Sequence, residues 1–506
     1  METLSGLIQG LQVVFVWQNL VAALAGAFAG TALGVLPGLG PVAGVAILLP
    51  LTFSLSPEAG LIMMAGIYYG AQYGGSTTAI LVNMPGESSS VVTCIDGYKL
   101  TQRGRAGAVL SVVAIGSFVG GTVSVIGVML FSSSLANLGI MFGPSEYFAL
   151  TAGGLLLLSR ISGGTFAAGI LPMGLGLCLS TIGEEAVTAA NRFTFGFHEL
   201  SQGIDLVPLV VGLYGLAEIM FLVENLQGQV APVPVKIKDM IPTSEEMKRS
   251  WAPYARGTIV GFIFGLLPGP SATLSSFASY RLEKGLSKYK DQIGDGAIEG
   301  VAGPETANNA AATSSMVPLL SLGMPFGAVT ALMMAAMMVY GIQPGPLLMV
   351  DHPQIFWGVI ASMLIGNVML LIMNIPMIGV WVSLLRIPTY LLLTIILISA
   401  VIGAFSVRNS MFDVYVLLLL GLVGYILRKL DFQLAPFVVG VVLGPLIEKH
   451  MREALFMSRG DIGVFVTSPI SVVIWIAVVL ALFPQPLKYL LNKITRKSKL
   501  LDQTGD

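Results

Sequence analysis

The chain has 506 residues, 55% of them hydrophobic and only 10% charged, with a mean hydropathy of +0.84. Soluble domains carry about 25% charged residues, so this balance excludes a soluble enzyme and fits a polytopic protein of the lipid bilayer. The net charge of −1 gives no footing for nucleic-acid binding, and Cys94 and Cys178 stand apart without zinc or disulfide spacing.

The first apolar run has no basic region before it and reads as a retained segment, not a cleaved signal. Residues 1–98 contain no Lys or Arg. Within them Gly26, Gly30, Gly34 and Gly38 fall on every fourth position and end in Leu36-Pro37-Gly38. In a helix this spacing leaves a flat stripe on which another helix lies closely, and Pro-Gly then breaks the helix. The segment 20–55 is expected to be a re-entrant helical hairpin with Pro37, Gly38 and Gly40 at its tip. A polar module follows, Tyr69-Gly70-Ala71-Gln72-Tyr73-Gly74-Gly75-Ser76-Thr77-Thr78 and then Asn83-Met84-Pro85-Gly86-Glu87-Ser88-Ser89-Ser90. It is expected to cross as a discontinuous helix. Lys99, Arg103 and Arg105 then arrive together, before apolar segments near 107–133, 145–159, 164–182 and 205–224.

The linker 226–256 is polar, and Thr243-Ser244-Glu245-Glu246 has the form of a capping box opening a short surface helix. A basic block spans 236–290, whereas 291–385 again lacks Lys and Arg. The positive-inside rule places 99–105, the linker and 281–290 in the cytoplasm, along with the basic tail. Inside this block the glycine pattern returns as Gly257, Gly261, Gly265 and Gly269, ending in Leu267-Pro268-Gly269. A second hairpin, 257–285, is expected with Pro268 and Gly269 at its tip. Its module is Gly303-Pro304-Glu305-Thr306-Ala307-Asn308-Asn309, then Thr313-Ser314-Ser315 and Gly323-Met324-Pro325-Phe326-Gly327. Further apolar segments lie near 354–380, 388–406, 411–427, 433–447 and 464–484, of which 388–406 has no counterpart in the first half.

The organisation expected is a first membrane repeat at 1–225, a cytoplasmic linker at 226–256, a second repeat at 257–485 and a cytoplasmic basic tail at 486–506. The fold class is all-α and polytopic, with about 10–12 transmembrane helices. Opposite flanking charge on two copies of one motif marks an inverted repeat, the architecture of secondary transporters whose broken helices meet at the substrate.

A helix broken in hydrocarbon leaves N–H ends that suit an anion and C=O ends that suit a cation. Small polar side chains add donors and acceptors. The candidates for substrate binding are Ser76, Thr77, Thr78, Asn83 and Ser88 in the first module, and Asn308, Asn309, Thr313, Ser314 and Ser315 in the second. The alternative is that they glue helices together. Glu87 and Glu305 are the candidates for a coupling ion, since ionisable groups at membrane depth are expensive; the alternative is a carboxylate capping a helix near the interface. Asp96 reads as a loop or interfacial partner of Lys99. Arg160, Arg192, Arg386 and Arg408 read as snorkelling or topological, and neither module contains an arginine, against recognition by a guanidinium fork. No Walker A, GxGxxG or HExxH motif is present. The expectation is no enzyme, no cofactor and no metal beyond a coupling sodium ion, with transport driven by an ion gradient or a partner.

Gly34-Val35-Leu36-Pro37-Gly38-Leu39-Gly40-Pro41, Asn83-Met84-Pro85-Gly86-Glu87 through Asp96-Gly97-Tyr98, and Gly303-Pro304-Glu305-Thr306-Ala307-Asn308-Asn309-Ala310 resemble the large membrane subunit of the tripartite tricarboxylate transporters. The resemblance implies a permease of the bacterial inner membrane. Its partners would be a small membrane subunit and a periplasmic solute-binding protein that delivers a carboxylate, with sodium or protons as the coupling ion. The paired hairpins also resemble those of elevator-type carboxylate transporters. The function expected is therefore ion-coupled, binding-protein-dependent carboxylate uptake by alternating access. A stand-alone cation/carboxylate symporter or antiporter is the first alternative; a channel or membrane scaffold is the second.

Overall fold

A computed structural model describes residues 2–162, 166–185, 189–224, 233 and 235–482. The expected tail, 486–506, and the start of the linker lie outside them. Among the described residues the regular structure is helical apart from a two-stranded antiparallel ribbon, Gly183–Glu184 with Asn191–Arg192. The first half runs through α1 (Glu2–Val14), α2 (Trp17–Val35), α3 (Gly40–Thr52), α4 (Pro57–Val82), α5 (Val91–Gln102), α6 (Ala106–Ile140), α7 (Pro144–Ser162) and α8 (Phe166–Ser180). It closes with α9 (Leu206–Val210), a π-helical stretch at Val211–Leu216 and α10 (Ala217–Glu224), which together form one rod.

The second half opens with α11 (Ser244–Gly265), α12 (Ser271–Leu286), α13 (Glu299–Ser314), α14 (Met316–Leu322) and α15 (Ala328–Val339). Then come α16 (Leu348–Asp351), α17 (Pro353–Asn374), α18 (Ile378–Leu384), α19 (Thr389–Arg408), α20 (Met411–Lys429), α21 (Leu434–Met457) and α22 (Pro469–Leu482). Among the described residues, five stretches are long and apolar enough to cross a bilayer alone: Trp17–Val35, Ala106–Ile140, Leu206–Glu224, Pro353–Asn374 and Met411–Lys429. Shorter apolar helices include Gly40–Thr52, Ala328–Val339 and Pro469–Leu482.

The glycine stripes build the two halves alike. A Cβ on Gly26, Gly30 or Gly34 would strike the carbonyl oxygens of Met63, Ile67 and Ala71 on α4. One on Gly257, Gly261 or Gly265 would strike those of Gly303, Ala307 and Ala311 on α13. Each hairpin thus lies backbone to backbone on its own broken helix, the close approach that small residues permit. The return arm α3 has 13 residues and at 1.5 Å per residue spans about 20 Å, short of the ~30 Å hydrocarbon.

The breaks superpose in conformation. Asn83 (φ 57, ψ 30) and Gly323 (φ 67, ψ 33) close the preceding helices in the left-handed region, which Asn and Gly tolerate. Glu87 and Gly327, both at φ −150 and ψ 170, open the next ones. The Glu87 N–H donates to Ser90 Oγ at 3.3 Å and the Gly327 N–H to Thr330 Oγ1 at 3.0 Å. In this register Met63 matches Gly303 and Glu87 matches Gly327. The hydroxyl triplets 76–78 and 313–315 are therefore not repeat mates, and neither are Glu87 and Glu305.

Two sequence expectations are corrected at the basic face. Thr243 and Glu246 do form a reciprocal cap, but the helix they open is no short surface element: it continues through Pro253 as the first hairpin arm, α11. Asp96 does not pair with Lys99. It is fully buried and accepts N–H bonds from Gly294, Gly296 and Ala297 at 2.9, 2.6 and 2.9 Å, and the Tyr280 hydroxyl at 3.1 Å. Lys99 instead meets Asp295 at 3.0 Å. Arg105 forks onto Glu246, Arg249 onto Glu299 and Arg256 onto Glu283, so the basic clusters of both halves converge on one face.

Candidate functional site

The two hairpin tips and the two breaks surround one cavity of about 760 Å³. Gly38–Ala43 and Gly269–Thr273 contribute the tips, and Glu87, Ser88 and 327–330 the breaks. Each tip is seated on its own break: the Gly269 N–H donates to the Phe326 carbonyl at 2.8 Å, and a Cβ on Gly40 would lie 3.5 Å from that of Glu87. Positive φ at Gly38 (+86), Gly40 (+56) and Gly269 (+132) makes these turns, the conformation glycine adopts without steric cost. Ser88 Oγ and Thr273 Oγ1, 2.9 Å apart, tie the first break to the second hairpin.

Five helical segments begin at the cavity wall: α3 at Gly40, the turn Ser88–Ser90 leading into α5, α12 at Ser271, α15 at Ala328 and α21 at Leu434. A helix start carries roughly half a positive charge on its N–H groups, so the wall presents several such ends at once. The lining is completed by Leu213, Tyr214, Glu218 and Phe221, and by Arg428, Lys429 and the loop 431–433. Glu87, Glu218 and Asp431 are the carboxylates on the cavity lining, and no group of three or more potential metal ligands is found among the described residues.

A buried polar network lies behind the wall, between the repeats. Glu305 accepts bonds from Ser76 Oγ at 2.5 Å, from Asn308 Nδ2 at 3.0 Å, and from the Thr93 hydroxyl. Asn309 Nδ2 reaches Ser117 Oγ at 2.8 Å and Asn308 Oδ1 at 2.7 Å. Asn308 Nδ2 also reaches Ser89 Oγ at 3.3 Å, and Ser89 donates to Glu87. The Gln72 amide, turned to satisfy its neighbours, donates to Glu87 as well. Glu87 at the cavity and Glu305 behind it are thus linked through Ser89 and Asn308.

Of the residues expected to bind substrate, Ser88 and Ser315 line the cavity. Ser76, Asn308 and Asn309 belong to the network behind it. Thr77 and Thr313 are buried in their helices, and Thr78 and Ser314 bond to the backbone of their own helices at 3.1 and 3.0 Å. Asn83 is an exposed helix terminator. Among the hairpin residues Gly38, Gly40 and Gly269 face the cavity, while Pro37 and Pro268 shape the turns off the wall. Tyr68, Gln72, Thr273, Thr330 and, above all, Arg428 were not legible as wall residues. Neither module carries an arginine, yet one arrives from α20. The signal was the doublet Arg428-Lys429 closing an apolar run, followed at once by Asp431.

A sequence model of the tripartite tricarboxylate transporter TctA family matches residues 20–439. An uncharacterized 52.8 kDa protein in the TAR-I ttuC' 3' region of Agrobacterium vitis is 47% identical over 473 residues, covering 93% of this chain and 94% of the relative. An uncharacterized protein in the TAR-II ttuC' 3' region of the same organism is 50% identical over 228 residues, 44% of this chain and 94% of its own length. No solved structure matches.

Proposed function

The chain belongs to the tripartite tricarboxylate transporter TctA family, and from that membership we propose that it carries tricarboxylates or related carboxylates across the bacterial inner membrane. A periplasmic binding protein delivers the substrate, a small membrane subunit accompanies the chain, and a sodium or proton gradient drives uptake. The observation that carries this reading is the cavity at which helix starts from both repeats converge. Positive helix ends bind a carboxylate without a fixed charge that would retain it. Glu87 on the same lining gives the coupling ion a place beside its co-substrate and, joined to Glu305 through Ser89 and Asn308, is the group that senses it. Because each tip is bonded or packed to its own break, hairpins and breaks move as one unit in alternating access.

The test is citrate uptake in proteoliposomes containing the permease, its small subunit and the binding protein. Saturable uptake under a sodium or a proton gradient, lost when the binding protein is left out, is the expected result. Uptake undiminished without the binding protein would favour a stand-alone symporter, and no carboxylate uptake under either gradient would overturn the reading.

A further inference from the structure

We infer, resting on the carboxylate reading above, that Arg428 binds a second carboxylate of the substrate and that Glu218 positions it, so that this pair selects di- and tricarboxylates over monocarboxylates. Arg428 stands in the last turn of α20, on the cavity lining. Its Nη1 donates to Glu218 Oε2, and its guanidinium lies over the Phe221 ring, Cζ 4.4 Å from the centroid. No other hydrogen-bond acceptor meets it among the described residues. A guanidinium carries five donors in a planar fork; one N–H is engaged and one face stacked, which leaves a donor edge for a carboxylate. Lys429 lines the same cavity, its Nζ paired with Glu224 at 2.6 Å.

The neighbours of Arg428 are short of partners too. Glu218 is 7% exposed, and its Oε1 is buried with no hydrogen bond. That oxygen lies 3.5 Å from where a Cβ on Gly38 would sit, against the first hairpin tip. The Tyr214 hydroxyl, from the π-helical stretch, is likewise buried and unpaired on this wall; π-helical turns recur at functional sites. Buried polar atoms are ordinarily paired, and of these two the Tyr214 hydroxyl can donate to a carboxylate in the cavity. A substrate with one carboxylate satisfies the helix starts alone; a second carboxylate reaches Arg428.

The test is direct binding of citrate, succinate and acetate to the purified full-length chain by calorimetry. R428Q is expected to weaken citrate and succinate about tenfold or more, as losing a charge-assisted fork should, with acetate changed less than about twofold. R428K, which keeps the charge without the fork, should fall between, and E218Q should lower the citrate preference less than R428Q. Should R428Q not fold, E218Q/R428Q removes both charges, leaves no unpaired buried carboxylate, and should show the same loss of preference. An unchanged citrate-to-acetate ratio in folded R428Q or the double variant, or an equal loss for both ligands, overturns the assignment of Arg428. Wild-type protein that binds no carboxylate would instead overturn the transport reading, and this inference with it.

Discussion

The first break, 83–90, and the second, 323–330, share a backbone and differ in side chains. Both leave a helix through the left-handed region and begin the next one from the same extended conformation, closed by a hydroxyl three residues on. At the residue that opens the new helix, however, one carries Glu87 and the other Gly327. The duplicated part supplies positive helix ends, twice, to one cavity. The unduplicated part supplies a carboxylate, once, and links it inward to Glu305. The transport proposed above would therefore place anion recognition on both repeats and cation coupling on the first alone.

The largest effect should fall on what is shared. Gly30→Leu and Gly261→Leu each drive a side chain into a backbone carbonyl of the facing helix, at Ile67 and Ala307. Overpacking costs about 1–3 kcal/mol where side chains can yield, and backbone yields less. Both variants are expected to lose the folded, monodisperse species on size-exclusion chromatography, and to similar extents. A well-folded protein with leucine at one site would show that the stripes are not equivalent.

Next comes the site where the breaks part. Glu87→Gln is expected to slow gradient-driven citrate uptake about 10- to 100-fold, the scale of roughly 1–3 kcal/mol for a buried polar group left mispaired. Gly327→Ala should change it less than about twofold. Its Cβ would meet only the Gly269 oxygen at 3.7 Å and Thr330 Oγ1 at 3.8 Å, and φ −150 suits any residue. Initial rates in proteoliposomes decide the matter; equal rates for wild type and Glu87→Gln would remove Glu87 from the coupling path.

How far the sequence carried follows the same division. Features set by the local backbone were legible: a glycine every fourth residue, a Pro-Gly turn and a Met-Pro break each announce a conformation from a few adjacent residues. The repeat register within the modules was not, because two hydroxyl triplets look alike in sequence while the breaks behind them lie at different distances. The cavity wall was legible only from the modules' side. Arg428 and Glu218 reach it from α20 and α10, and nothing near either residue in sequence reports which distant helix it will face. Asp96 was misread for the same reason: Lys99 is its neighbour in sequence, but the N–H groups of 294–297 are its neighbours in space.

Glu305 sharpens the comparison at smaller scale, since its register mate is the apolar Ala65. Three side chains direct N–H or O–H groups at its carboxylate. In Glu305→Gln one acceptor becomes a donor facing donors, and bonds to a charged acceptor weaken. A loss of about 1.5–3 kcal/mol is expected, read as a lower melting temperature in detergent. Citrate binding should be nearly unchanged, because Glu305 does not line the cavity. A large loss of binding at unchanged stability would instead move Glu305 into the site.

The smallest effect should come from exchanging the two helix terminators. Asn83 is exposed and takes the left-handed conformation at a cost that glycine lacks, so Asn83→Gly should change stability by no more than about 0.5 kcal/mol. The reverse exchange is not equivalent. At Gly323 the same dihedral angles are open to asparagine, but a Cβ there would sit 2.5 Å from the Pro344 carbonyl oxygen and 3.3 Å from the Gly345 Cα. The obstacle is backbone, so the loop 344–345 must shift, and Gly323→Asn should cost about 1–3 kcal/mol. Melting curves of the two single variants, recorded side by side, separate conformation from space. Equal small losses would mean that the left-handed cap alone governs both breaks, and that the second is no more tightly enclosed than the first.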